Sequence, residues 1–185
     1  MDNGASSYRR FLEGDEKGIV DIICLYRDGL ILYINSFTQN TTEAEDIAED
    51  VFLKLIMKKP KYNGKASFKT WLYTIAGNMA RDYWRKNVRH GKLPLDNLSE
   101  LSDEEIELER MYLKEEQKIQ LHRSMKKLSP EYQQILWLVY FEGMCNKDAS
   151  KIVGKSVHTT GNLVYKARKA LKTQLGKDGF VYENL

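Results

Sequence analysis

Apolar side chains recur every three or four residues along most of this chain, and its three prolines punctuate that rhythm without falling inside it. Pro60, Pro94 and Pro130 each stand at the edge of a periodic segment, where a missing amide hydrogen and a fixed φ are tolerated. Helices are therefore the building blocks, since no two alternating runs read as paired strands. With 185 residues and 42% apolar content, there is material for packed cores in one ordinary domain or two small ones. The net charge is only +3, yet residues 96–109 are strongly acidic and residues 147–177 strongly basic. The small sum hides two surfaces of opposite character. The expected fold is all-α, with two small helical domains at residues 1–93 and 113–185. An acidic linker at residues 94–112 joins them, and the second domain carries a helix–turn–helix.

Periodicity places one or two packed helices over Ser7–Asn35, with Ile19, Ile22, Ile23, Tyr26, Leu30 and Tyr33 inward. Thr42-Glu43-Ala44-Glu45 has the form of a capping box and predicts a helix start. That helix buries Ala44, Ile47, Ala48, Val51, Phe52, Leu55 and Ile56, and stops near Lys59-Pro60. A short loop, Asn63-Gly64-Lys65-Ala66-Ser67, leads to a helix from about Phe68 to Lys86 with Phe68, Trp71, Leu72, Ile75, Met79 and Tyr83 inward. Ser102-Asp103-Glu104-Glu105 repeats the capping-box pattern. Ser129-Pro130 predicts a further helix reaching Glu142, with Ser129 as cap and Gly143 as terminator.

Lys147–Lys172 reads as the helix–turn–helix. Ser150 is small enough for a tight helix crossing, Gly154 permits the turn, and Ser156 stands where an N-cap belongs. Val157, Thr160, Val164, Ala167 and Leu171 are expected to pack on the scaffold. The other side presents His158, Asn162, Tyr165, Lys166 and Lys169, side chains able to read base edges or hold phosphates in a major groove. A solvated surface helix is the alternative reading.

Two more faces carry information. Thr70, Thr74, Asn78, Arg81 and Arg85 share one side of the Phe68–Lys86 helix, with Trp84 and Lys86 beside them. Cations, an amide and a glycine-containing loop suit a phosphate backbone and unpaired bases, whereas Trp71 and Tyr83 read as core. On the preceding helix, Glu45, Asp46, Glu49, Asp50 and Leu53 form an acidic face with an apolar centre. That face suits a basic protein surface or is simply solvated. No histidine or nucleophile accompanies these carboxylates. His90, His122 and His158 lie far apart, and no phosphate-binding glycine loop appears. Neither an enzyme nor a metal or other cofactor is expected. Cys24 and Cys145 suggest no disulfide or zinc site and are expected to be buried or half-buried. The N-terminus lacks a signal peptide's apolar core, and the longest apolar run, Ile135–Phe141, falls far short of the ~20 residues that span a bilayer. A cytoplasmic protein without membrane insertion is expected.

Taken in order, Glu43–Phe52, then Phe68-x-x-Trp71-Leu72-x-x-Ile75-Ala76-x-Asn78, then the helix–turn–helix resemble a bacterial sigma factor of the extracytoplasmic-function type. The resemblance spans roughly Ile19–Arg89 and Met125–Leu175. It implies a promoter-specificity subunit whose partners are core RNA polymerase and promoter DNA, with an anti-sigma factor as a further family expectation. By residue-wise match, Asp46, Glu49, Asp50 and Leu53 face polymerase. Asn63, Gly64, Lys65, Ala66, Ser67 and Asn78 form a pocket for a flipped −10 base, while Arg81, Arg85 and Lys86 hold the backbone. His158, Thr159, Gly161, Asn162, Tyr165, Lys166 and Lys169 meet the −35 duplex. The chain departs from the pattern at Ala149, where a large aliphatic is usual, at Thr160 in place of Val, and at Gly161 in place of a longer polar residue. These departures predict a C-terminal domain that is only modestly stable alone. A stand-alone operator-binding dimer is the competing function, but no heptad seam offers a dimerisation surface.

Overall fold

The computed structural model describes residues 3–89, 103–113 and 116–179. Among them there are helices and no strands: α1 (Asn3–Leu12), α2 (Lys17–Thr38), α3 (Thr41–Lys58), α4 (Phe68–Arg89), α5 (Asp103–Leu113), α6 (Glu116–Lys126), α7 (Pro130–Leu136), a π-helical turn (Trp137–Phe141), α8 (Asn146–Val153) and α9 (Val157–Lys177). Residues 90–102, which hold Pro94 and the Ser102 of the second capping box, lie outside the described residues.

In the N-terminal unit, α2 packs against α1, α3 and α4. Phe68, the first residue of α4, is the hub of an aromatic cluster. Its ring centroid lies 5.4 Å from Tyr8, 5.3 Å from Trp71, 5.6 Å from Tyr62 and 5.9 Å from Tyr26. The cap of α3 differs from the expectation. Asn40, in extended backbone conformation, accepts the Glu43 amide at 3.1 Å, and the helix already begins at Thr41. Gln39 ends α2 in the left-handed region, which turns the chain so that Asn40 becomes the extended residue between the two helices. Thr42 is left inside the first turn.

The buried side of α4 is wider than its sequence stripe. Phe68 and Leu72 are buried as expected, but Trp71, Ile75, Met79 and Tyr83 are only half-buried, while Tyr73, Ala76 and Ala80 are fully buried. α4 has neighbours on more than one side: it packs on α2 and α3 and also on α8, and Tyr73 meets Tyr33 of α2. Thr70, assigned by spacing to the outer face, is also buried.

In the C-terminal unit, α9 packs on α6, α7 and α8. The helix expected to run from Pro130 to Glu142 changes character at Trp137. There the Glu142 amide donates to the Trp137 carbonyl at 3.1 Å. The wider turn stacks Trp137 on Phe141 with centroids 4.7 Å apart. Ser129 caps α7 through its backbone carbonyl, which accepts the Tyr132 and Gln133 amides, and not through its hydroxyl. Gly143 and Gly154, both at positive φ, end the π-helical turn and α8 where a side chain would be strained. On α9 the packed face is Thr160, Leu163, Ala167 and Leu171. Val157, expected inward, is exposed and Val164 is only half-buried, while Leu163, not expected inward, is buried beside Thr160 and Ala167. Ala149 is fully buried. The Thr160 hydroxyl is satisfied by the Ser156 carbonyl at 2.9 Å, so the extra polar atom at this packed position has its partner. Both cysteines are exposed, contrary to expectation: Cys24 lies between the inward Ile22 and Tyr26 of α2, and Cys145 precedes α8.

Candidate nucleic-acid interface

The exposed side of α9 is organised from its cap. Ser156 accepts the Thr159 amide at 3.0 Å, and the two hydroxyls lie 2.8 Å apart, so Thr159 is anchored at the helix N-terminus. His158, Thr159, Asn162, Tyr165, Lys166 and Lys169 are all exposed along one side, and Tyr165 keeps 70% of its surface in water. Gly161 sits half-buried among these residues. A β-carbon there would find only the Asn146 amide, at 3.6 Å.

The loop before α4 owes much of its shape to local bonds. Asn63 accepts the Lys65 amide at 3.0 Å, Gly64 takes a positive φ of 70°, and the Tyr62 hydroxyl donates to the Ala66 carbonyl at 2.5 Å. Ser67 accepts the Thr70 amide at 3.1 Å and so caps α4. Asn63, Gly64 and Ser67 therefore have structural duties, and Lys65 is the exposed cation of the loop. Asn78 and Phe68 are separated by about 15 Å along the helix axis, at about 1.5 Å per residue.

Further along α4 the expected grouping holds. Asn78 Oδ1 accepts from Arg81 Nη2 at 2.6 Å, and Arg85 pairs with Asp82 at 3.1 Å. Asn78, Arg85 and Lys86 are exposed, whereas Arg81 is half-buried. Arg81, Trp84 and Arg85 line a cleft of about 330 Å³ shared with Pro130, Gln134 and Val153 of the C-terminal unit. Tyr83, expected in the core, is half-buried. Burial, then its bond to Glu43, pushes its hydroxyl up to about 12.

On α3, Asp46, Glu49, Asp50 and Leu53 are all exposed. Met57 is 75% exposed and lengthens the apolar centre of that face. Its position four residues after Leu53 was the signal available in the sequence. Glu45 is drawn aside by Arg27 at 3.2 Å. Sequence reasoning also missed Lys69 and Glu142, which meet across the two units. Among the described residues no helix is long and apolar enough to cross a membrane, and no cluster of candidate metal ligands occurs.

Comparison with known proteins finds two family models on this chain. "Sigma-70 region 2" matches residues 24–90, and "Sigma-70, region 4" matches residues 118–171. RNA polymerase sigma-H factor of Pseudomonas aeruginosa is 26% identical over 179 residues, covering 90% of each chain. The extracytoplasmic-function (ECF) RNA polymerase sigma factor SigW of Bacillus subtilis is 25% identical over 171 residues, covering 88% of this chain and 91% of its own. Among solved structures, the sigma factor RpoE in complex with the anti-sigma factor NepR from Bartonella quintana aligns with a TM-score of 0.67 at 21% identity. That alignment covers 86% of this chain and 98% of the other, and it shows a shared fold.

Proposed function

Because the chain belongs to the sigma-70 family of RNA polymerase sigma factors, in its extracytoplasmic-function group, we propose that it binds core RNA polymerase and directs initiation by reading −35 duplex and opening the −10 element. The two ends of the molecule divide the work. Residues 1–93 hold polymerase through Asp46, Glu49, Asp50 and Leu53 of α3, and engage the −10 strand through Lys65, Asn78, Arg81, Arg85 and Lys86. Residues 113–185 enter the −35 major groove with α9. There Asn162, Tyr165 and Lys166 reach base edges, while Thr159 and Lys169 meet phosphate. The connector is residues 94–112. RpoE of Bartonella quintana was solved with an anti-sigma factor, and an inhibitor of that kind belongs to the reading for this chain.

The observation that carries the reading is α9. A packed face of Thr160, Leu163, Ala167 and Leu171 leaves a polar, aromatic and basic face wholly in solvent behind a well-formed N-cap. Run-off transcription with purified bacterial core polymerase on genomic fragments tests it: transcripts that depend on this protein are expected. Tight operator binding without any polymerase association would overturn the reading. Within the same assay, Asn78→Ala is expected to impair promoter opening more than polymerase binding, and equal loss of both counts against the −10 assignment.

A further inference from the structure

Gly161 leaves a gap in the outward face of α9. Its neighbours along the helix surface, three residues before and four residues after, are His158 and Tyr165, both exposed. A side chain at 161 would therefore stand beside them. The backbone does not ask for glycine here, since Gly161 is absent from the glycines at positive φ and lies inside a helix that glycine weakens. Crowding does not ask for it either. Beyond the helix backbone, a β-carbon would find a single atom within 4 Å, the side-chain nitrogen of Asn146, at 3.6 Å.

Asn146 belongs to a different element. It is the first residue of α8 and is exposed, and its side-chain amide has no hydrogen-bond partner among the described residues. The start of α8 is secured without it. The Cys145 carbonyl accepts the Asp148 and Ala149 amides at 3.0 Å each. Asp148 in turn accepts from the Cys145 thiol at 3.3 Å and pairs with Lys151 at 2.9 Å. Ala149 and Ile152 of α8 are fully buried, and α8 packs on α9. The backbone of Asn146 is thus held in register with α9, while its amide stands free at the gap over Gly161.

We propose that Asn146 is a base-reading residue, lent by α8 to the place that Gly161 leaves open on α9. The proposal rests on the −35 reading given above. A carboxamide carries a donor and an acceptor side by side, which together match the N6 and N7 edge of adenine. The glycine then has a purpose in recognition: a longer side chain at 161 would occupy the space through which the amide reaches the groove.

The test uses the holoenzyme. A genomic promoter that yields a transcript in the run-off assay is rebuilt as a library with its −35 region randomised, and the duplexes bound by full-length protein with core polymerase are sequenced. Wild-type protein is expected to favour adenine at one position. Asn146→Ala is expected to weaken that preference about tenfold and to leave the other positions as they were. Asn146→Asp replaces the donor by an acceptor and is expected to move the same position toward cytosine, whose N4 amino group a carboxylate accepts. Gly161→Gln fills the gap and is expected to alter that same position although Asn146 is intact. Because both residues lie at the surface of their helices, helix content by circular dichroism is expected to be retained. Preferences that Asn146→Ala leaves unchanged would overturn the proposal alone. So would an even loss across all sequences with a shallower salt dependence, which marks a phosphate contact. A wild-type holoenzyme without preference anywhere in the region would overturn the −35 reading, and this proposal with it.

Discussion

Phe68 in the first four helices and Glu109 of α5, where the connector meets the C-terminal unit, are both fully buried, but they hold their surroundings by different physics. Phe68 is fully buried among rings of Tyr8, Tyr26, Tyr62 and Trp71. Glu109, equally buried, is held by His122 Nδ1 at 2.6 Å and Arg123 Nε at 3.0 Å. Gln133, Ser150, Thr160 and Glu142 are further buried polar groups of the C-terminal unit. Ring contacts lose little when a neighbour shifts slightly. Buried polar groups lose their bonds outright unless each partner stays in place. The N-terminal unit is therefore a platform, and the C-terminal unit a set of groups satisfied in one arrangement, part of which runs through α4.

The sharpest test of the platform is Phe68→Ala. Removing the hub of an apolar cluster is expected to cost about 3–5 kcal/mol, the usual range for a large aromatic in a packed core. Urea unfolding followed by tryptophan fluorescence measures it. A cost below about 1 kcal/mol would show that the ring cluster is loosely packed and erase the contrast.

The C-terminal unit offers a complementary experiment, in which a charged group is deleted. Lys126 lies among Leu32, Met125 and Trp137, and burial lowers its ammonium from 10.5 to about 8. Between those values the unfolded chain holds the proton and the folded chain does not, so stability rises with pH across that window. Below about 8 both states are charged, and the folded state is less stable by the net cost of the half-buried charge. Lys126→Met is expected to flatten the pH dependence of stability between those values and to narrow the gap between neutral and alkaline stability. Thermal melts from neutral pH to about pH 10 check both. An unchanged slope would mean that Lys126 reaches solvent.

The elements themselves were legible in the sequence wherever one neighbour sets the pattern. The end of α3, the cap at Ser156 and the Gly154 turn all follow from local chemistry and fall where expected. Legibility fails where a second neighbour arrives. Tyr73 is buried where α4 meets both Tyr33 of α2, 5.3 Å away, and Glu142 of the C-terminal unit, neighbours that periodicity alone does not reveal. Thr42 lost the cap to Asn40 because the choice depends on the left-handed Gln39 that precedes it. Lys69 and Glu142 carry no local signal, since a charge pair separated by seventy-three residues exists only in the assembled fold. The exposed residues proposed for polymerase, −10 and −35 contact stand on their expected faces.

The smallest effect concerns the least crowded position. Gly161→Ala adds a methyl group that meets only the Asn146 amide, at 3.6 Å, an ordinary contact. Alanine is the better helix former by about 1 kcal/mol, so a gain of roughly 0.5–1 kcal/mol in stability is expected, read as a small rise in melting temperature. The substitution separates two reasons for glycine on a base-reading face. If −35 duplex affinity is unchanged while stability rises, Gly161 is merely a weak point in an already polar unit. If affinity falls although the helix is firmer, the missing side chain is what lets α9 approach the groove floor, so that Asn162, Tyr165 and Lys166 can reach the bases. The second outcome would also sharpen the contrast between the units, since the platform uses glycines such as Gly29 and Gly77 for close approach within the protein, whereas α9 would use one for close approach to DNA.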